Sequence, residues 1–150
     1  MKFVLTRELG RLVKWLRILG CDAEYFAGGK YSSLIIQALR DNRIILSRNQ
    51  KLPRSRGIKT VLIENEKIKL QLKEVMEKLG IKPDAEKMFT RCILCNAELT
   101  GLDKAGAEGK VPEYVFKAQD KFVSCPKCGR IYWEGTHWGN VKTTLEEISR

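Results

Sequence analysis

The sequence predicts an α/β protein: a mostly parallel sheet followed by a small β-rich ribbon built around four cysteines. Two observations carry this expectation. Up to about residue 88, short β-rich runs alternate with amphipathic helical patterns, the mark of βαβ units. Beyond that point the pattern changes to short runs, turns and paired cysteines. The boundary falls there, giving an α/β unit over residues 1–88 and a four-cysteine ribbon over residues 89–150.

The elements follow in order. Lys2-Phe3-Val4-Leu5 reads as the first strand. From Glu8 to Leu19, the apolar residues Leu9, Leu12, Val13, Leu16 and Leu19 recur at helical spacing, and Gly20 ends the run. The same spacing gathers Arg7, Arg11, Lys14 and Arg17 on the opposite face as a basic stripe. Ala23 to Phe26 is a second strand, Gly28-Gly29 a turn, and Ser32 or Ser33 the N-cap of a helix through Arg40. Arg43-Ile44-Ile45-Leu46 forms a third strand. A basic loop from Arg48 to Lys59 then carries Arg48, Lys51, Arg54, Arg56 and Lys59 with no acid. Thr60 to Ile63 is a fourth strand, and Ile68, Leu72, Val75 and Leu79 mark a helix stopped by Gly80 and followed by Pro83. Lys82 to Lys87, poor in apolar residues, is the linker.

Charge is distributed unevenly. The chain carries 28 Lys and Arg against 18 Asp and Glu, a net +10. Residues 1–59 alone hold 13 basic and four acidic side chains, an excess of +9. Charge concentrated in one segment predicts a positive face and a polyanionic partner, most often nucleic acid. At 43% hydrophobic, the chain can bury a core, which argues against global disorder. No apolar run approaches the roughly 18–20 residues of a membrane span, and Phe3-Val4-Leu5 is too short for a signal peptide's apolar region. The expectation is a soluble, cytoplasmic protein with no membrane partner.

Cys92-Ile93-Leu94-Cys95 and Cys125-Pro126-Lys127-Cys128 are two C-x-x-C knuckles separated by 29 residues. Two knuckles close a tetrahedral shell of four thiolates around Zn²⁺, and a closed shell is structural because it leaves no position for substrate. Asn96 and Gly129, one after each knuckle, tolerate the left-handed backbone such a turn needs. Cys21 is left over and reads as a small apolar residue beside Gly20. His137 reads as a packing or hydrogen-bonding group rather than a ligand. Of Phe122, Tyr132, Trp133 and Trp138, at most one is free to stack on a base, since so small a ribbon needs the rest as core.

Leu9 to Asp22, Arg43 to Asn49, Arg91 to Asn96, Val111-Pro112 and Phe122 to Trp138 together resemble the Mut-seven C-terminal RNase domain family across almost the entire chain. The resemblance implies a PIN-like α/β domain with helices on both faces, joined to a zinc ribbon. It also implies ribonuclease chemistry in which Asp residues at the C-terminal ends of strands hold Mg²⁺ or Mn²⁺. Such hard ions need clustered carboxylates. Where the family implies acids, this chain reads Thr6, then Tyr31-Ser32-Ser33, then Asn49.

Loss of those charges beside Arg7, Arg11, Arg48 and Lys51 strengthens contact with a phosphate backbone. The leading expectation is a non-catalytic RNA-binding protein, with ribosomal or other structured RNA as partner. Its phosphate contacts are Arg7, Arg11, Lys14 and Arg17 on the helix and Arg48, Lys51, Arg54 and Arg56 on the loop. Two alternatives stand beside it. One is a divalent-metal ribonuclease with an altered ligand set, Glu8, Asp41 and Asn49. The other is a protein-interaction adaptor docking through the ribbon. Charge alone does not separate RNA from DNA.

Overall fold

The computed structural model describes residues 1–150, apart from the side chains of Thr136 and His137. The reading of His137 therefore lies outside the described residues.

Burial on both faces makes β1 (Lys2–Thr6) the heart of the first sheet: Phe3, Val4 and Leu5 are wholly buried. With β2 (Asp22–Phe26), β3 (Ile44–Ser47) and β4 (Thr60–Leu62) it forms a parallel sheet in the order β2-β1-β3-β4. Strand pleating sends Phe3, Leu5 and Leu46 to one side, against α1 (Gly10–Ile18) and α3 (Ile68–Leu79). Val4 and Ile45 face the other side, where Leu34 and Ala38 of α2 (Tyr31–Asp41) cover them. Helices thus lie on both faces.

The boundaries shift in instructive ways. Arg7–Leu9 form a 3₁₀ turn before α1 rather than its first α-turn. Neither Ser32 nor Ser33 caps α2; the N-cap is Lys30, without a side-chain bond, and both serines sit exposed in the first turn. Helix α3 has the span its spacing predicts and ends on Gly80 in the left-handed region, φ 66°. The basic segment 48–59 is the crossover joining β3 to its parallel neighbour β4. Leu52 and Ile58 anchor it in the core on the α2 side. The Tyr31 hydroxyl donates to the Pro53 carbonyl and lies 2.9 Å from Ser55 Oγ.

The C-terminal part holds an antiparallel sheet, β5 (Thr100–Leu102), β6 (Phe122–Ser124) and β7 (Ile131–Trp133), with two short helices, α4 (Lys104–Ala107) and α5 (Glu113–Ala118). It is less purely β than expected. A 14-residue helix, α6 (Thr136–Ser149), closes the chain, and its Val141, Leu145 and Ile148 join the core under α1 and α3. Residues 89–150 therefore help to bury the first sheet's helices. The 82–87 segment is also packed rather than loose: Lys87 and Met88 N–H groups bond Asp84 O, and the Phe89 N–H bonds Ile18 O at 2.9 Å. Gly20, at φ 87°, lets the Lys87 backbone pass where a Cβ would stand.

Glu74 organises the turn between β4 and α3. Its carboxylate accepts from the Glu64 N–H at 2.8 Å, the Asn65 N–H at 3.2 Å, Asn65 Nδ2 at 2.8 Å and Lys78 Nζ at 2.8 Å. Burial pushes its pKa up, but the Lys78 and loop hydrogen bonds outweigh it and hold it at about 2. Glu74→Ala is expected to cost about 2 kcal/mol, because buried donors lose their acceptor. The charge-dependent share is present above pH 4.5 and fades as the pH falls towards about 2. Urea midpoints of wild type and Glu74→Gln should therefore converge through that window.

Candidate nucleic-acid interface and metal centre

The chain leaves β1 for a neighbour on one side, β2, and later reaches β3 on the other. In open parallel sheets the ligand crevice lies outside the carboxyl ends of the strands at such a reversal. Here those ends carry Thr6 and Ser47. Thr6 Oγ1 is 2.6 Å from Glu8 Oε1 and 2.9 Å from Ser47 Oγ. The Ser47 hydroxyl donates to the same Glu8 oxygen at 3.1 Å, and the Arg48 N–H does so at 2.9 Å. The 3₁₀ turn is what swings Glu8 back over the strand ends. One carboxylate oxygen thus ties β1 to β3. Burial works to raise the Glu8 pKa, yet the bonds from Thr6, the Arg48 N–H and Ser47 prevail and hold it below its ordinary value. Asn49 completes the rim: its N–H donates to Ser47 Oγ at 3.1 Å, and its side chain accepts from the Lys51 N–H at 3.0 Å.

Ser47 was not singled out from the sequence. Its signal was its place at the end of an Ile-Ile-Leu strand, two residues before Asn49.

The altered ligand set Glu8, Asp41 and Asn49 does not assemble. Asp41 ends α2 and pairs with Arg40 at 2.9 Å, at the edge where β3 begins; Asn49 lies beyond the other end of that strand. A four-residue strand separates the two edges by about 13 Å. Among the described residues, no group of three or more His, Cys, Asp or Glu comes together except the four cysteines. The strand-end residues do not fit the Mg²⁺ or Mn²⁺ cluster of a nuclease.

Basic groups reach this edge from both faces of the sheet. Arg7 and Arg11 open the α1 side, with Lys14 about one turn further on; Lys51, Arg54 and Arg56 come from the crossover. All six are exposed, and none enters an ion pair among the described residues. Arg17 is a correction. It is only 8% exposed, donating from Nε to Ala23 O at 2.9 Å and from Nη1 to Ile93 O at 2.8 Å. Helical spacing put it on the polar face, but the first cysteine knuckle covers that end of α1. Arg48 is half-buried and turned away, donating to Glu64 O at 3.3 Å.

The four cysteine sulfurs lie within 4.8 Å of one another, and Cys92 Sγ is 3.7 Å from Cys128 Sγ. A tetrahedron of thiolates at 2.3 Å from zinc has edges of about 3.8 Å. The knuckles repeat one geometry. The Asn96 and Gly129 N–H groups bond the Cys92 and Cys125 carbonyls at 2.9 Å each, and the Cys95 and Cys128 N–H groups each point at the first sulfur of their knuckle at 3.4 Å. Asn96 (φ 66°) and Gly129 (φ 76°) are left-handed, as such turns require. Burial opposes ionisation of Cys92, but hydrogen bonds led by the Tyr132 hydroxyl, 3.1 Å away, pull its thiol down to about 6. The donor set suits a closed, four-coordinate ion such as zinc.

Of the four aromatics considered, Phe122 is buried and Tyr132, Trp133 and Trp138 are half-buried, in keeping with a packing role for most of them. Phe122 packs edge-on to Trp133 at 6.5 Å, and Trp138 stacks on Phe89 at 4.0 Å.

The Mut7-C RNAse domain model matches residues 1–145 of the chain. The chain belongs to this family. No curated protein and no solved structure gives a significant match. Membership of the Mut7-C family gives the protein a nuclease-like or RNA-related role. Among the described residues no helix is long and apolar enough to cross a membrane.

In this Mut7-C chain, a carboxylate placed at position 6 would face the Glu8 oxygen that Thr6 now donates to. Thr6→Asp is expected to lower stability at neutral pH by about 1–2 kcal/mol through like-charge repulsion and the lost donor. Added Mn²⁺ should recover part of that loss in a thermal melt of the variant and leave the wild-type melting temperature unchanged.

Proposed function

We propose that this chain holds RNA without cutting it: an RNA-binding protein on a catalytically degenerate PIN-like domain, acting on ribosomal or other structured RNA. One observation carries the reading. The crevice where a nuclease would gather carboxylates holds Thr6, Ser47 and Asn49 around a single acid, Glu8, whose Oε1 is already engaged by three donors. Ser32 and Ser33 bring no acid to the first turn of α2 either. Around that centre, reduced to one carboxylate, stand the exposed cations Arg7, Arg11, Lys14, Lys51, Arg54 and Arg56, which this reading assigns to phosphates. Arg17 and Arg48 serve the fold instead. Binding of this kind is electrostatic in affinity and reads backbone rather than sequence.

Cys92, Cys95, Cys125 and Cys128 hold zinc in a structural role. The ion contributes to folding, and the ribbon it organises sets the position of the first sheet's edge through Arg17 and Asn96. The protein is cytoplasmic on this reading. A protein partner through the ribbon is a secondary possibility that the exposed knuckle residues Leu94 and Lys127 leave room for.

Filter-binding titrations with a structured RNA test the main reading. Affinity should fall steeply with salt, by about 10³-fold or more between 50 and 200 mM if six phosphates are neutralised. The double reversal Arg11→Glu with Lys14→Glu should weaken binding without lowering the melting temperature. Incubation with Mn²⁺ should leave the RNA intact; chelator-sensitive cleavage lost in Glu8→Gln would favour the ribonuclease alternative. For the metal centre, elemental analysis should find one zinc per chain, absent from a Cys92→Ser variant.

A further inference from the structure

An aromatic side chain packs beside the start of α1, at the same end of the sheet as the Thr6–Ser47 crevice. Tyr25 is on the edge strand β2, in register with Leu5 and one residue short of the partner of Thr6. Its ring lies against Gly10, where a Cβ would stand 3.8 Å from Cε2. Its hydroxyl donates to the Arg7 carbonyl at 3.0 Å. The ring is therefore anchored at its tip and lies beside the helix backbone at Gly10. It nevertheless remains 42% exposed. Lys14 stands four residues after Gly10, the spacing of neighbours along one side of a helix, and Arg7 lies in the 3₁₀ turn just before it. An exposed ring, anchored at its hydroxyl, thus lies beside the start of α1, between Arg7 in the preceding 3₁₀ turn and Lys14 on the helix in chain order.

We infer that Tyr25 is a stacking platform for an unpaired nucleobase, with Arg7, Arg11 and Lys14 gripping the phosphates on either side. The inference rests on the RNA-holding role proposed above and sharpens its ligand to single-stranded RNA or to unpaired nucleotides in structured RNA. The chemistry favours this ligand over a duplex. In a helix the bases are stacked on one another and present no free π-face, whereas an unpaired base meets an aromatic ring on any sequence. Pre-orientation adds to the case: a ring already fixed by Gly10 and the Arg7 carbonyl loses little conformational entropy when a base lands on it. The hydroxyl holds the ring in place and makes no demand on the base.

The experiment compares two fluorescein-labelled probes by anisotropy with the full chain: a single-stranded ten-nucleotide oligoadenylate and a ten-base-pair RNA duplex. Tyr25→Leu keeps apolar cover over Gly10 and removes the π-face. It should weaken the single strand about tenfold, within the range of one base–aromatic stack, and leave the duplex within about twofold. Tyr25→Phe should keep the single-strand affinity within about threefold, since it loses only the pinning hydrogen bond. Unchanged single-strand binding by Tyr25→Leu, or an equal loss on both probes, would overturn the platform while leaving the electrostatic role standing. Failure of the wild-type chain to bind either probe would overturn the RNA-holding role itself. Thermal melts of both variants separate a loss of stacking from a loss of fold.

Discussion

Asp22 joins the two halves of the molecule. Its Oδ1 accepts from Arg43 Nη1 at 2.7 Å and from Asn96 Nδ2 at 2.6 Å. Arg43, 5% exposed, also donates to Phe3 O at 3.2 Å and to Glu24 Oε1 at 2.9 Å, so one guanidinium spans β1, β2 and β3. Burial disfavours the Asp22 charge, but Arg43 and Asn96 more than offset it and its pKa falls below the ordinary value. Charges removed from water are tolerable only when nearly every donor and acceptor is matched. That requirement fixes the geometry of the joint. Asn96 is the second contributor, because the same residue whose left-handed backbone turns the first cysteine knuckle also accepts the Ala23 N–H at 3.1 Å. A change at the first knuckle therefore reaches the sheet through Asn96 and through Arg17, which bonds both Ile93 O and Ala23 O.

With that joint at the edge where the strands begin, the edge where they end is left for the ligand. Two physical demands act on it. A nuclease of this architecture needs several carboxylates close together, and carboxylates so placed repel one another until a cation arrives. Here hydroxyls and an amide occupy the strand ends, and the hydroxyls of Thr6 and Ser47 donate to Glu8 instead of competing with it. Thr6, Ser47 and Glu8 Oε1 are thereby partnered within the protein, and these bonds tie the strand ends together without a cation.

What the sequence revealed about this arrangement depends on how local each cause is. The knuckles were legible because ligand spacing and left-handed turn residues lie within a few positions of each other. The strands were legible because Phe3, Val4, Leu5 and the Ile44 to Leu46 run are buried on both faces, and the span of α3 was legible from its apolar spacing and Gly80. Arg17 was misread because helical periodicity separates polar from apolar faces but says nothing of a second layer that covers the polar one. The crossover was read as a loop of charges, since its anchors Leu52 and Ile58 are too sparse to make a periodic signal. Helix α6 escaped for a related reason. Its apolar positions Val141, Leu145 and Ile148 are few, and their partner surface on α3 lies far away in sequence. Tyr25 showed nothing in a strand of five, because an edge aromatic gains meaning only from Gly10 and Arg7 across the fold.

The same distinction explains why a charge excess on 59 residues resolves into fewer working cations. Arg17 and Arg43 are taken by carbonyls and carboxylates inside the molecule, and Arg48 by the β4–α3 turn. Among those that remain, Arg7 and Arg11 on the α1 side and Lys51 on the crossover flank the C-terminal edge of the sheet from its two faces. Like charges so arranged raise one another's potential, a cost the free protein carries in water and salt and that a polyanion relieves on binding. On the proposed RNA-holding role, counterion exchange supplies the affinity, and the exposed ring of Tyr25 supplies the preference that charge cannot, between a base that is already stacked and one that is not.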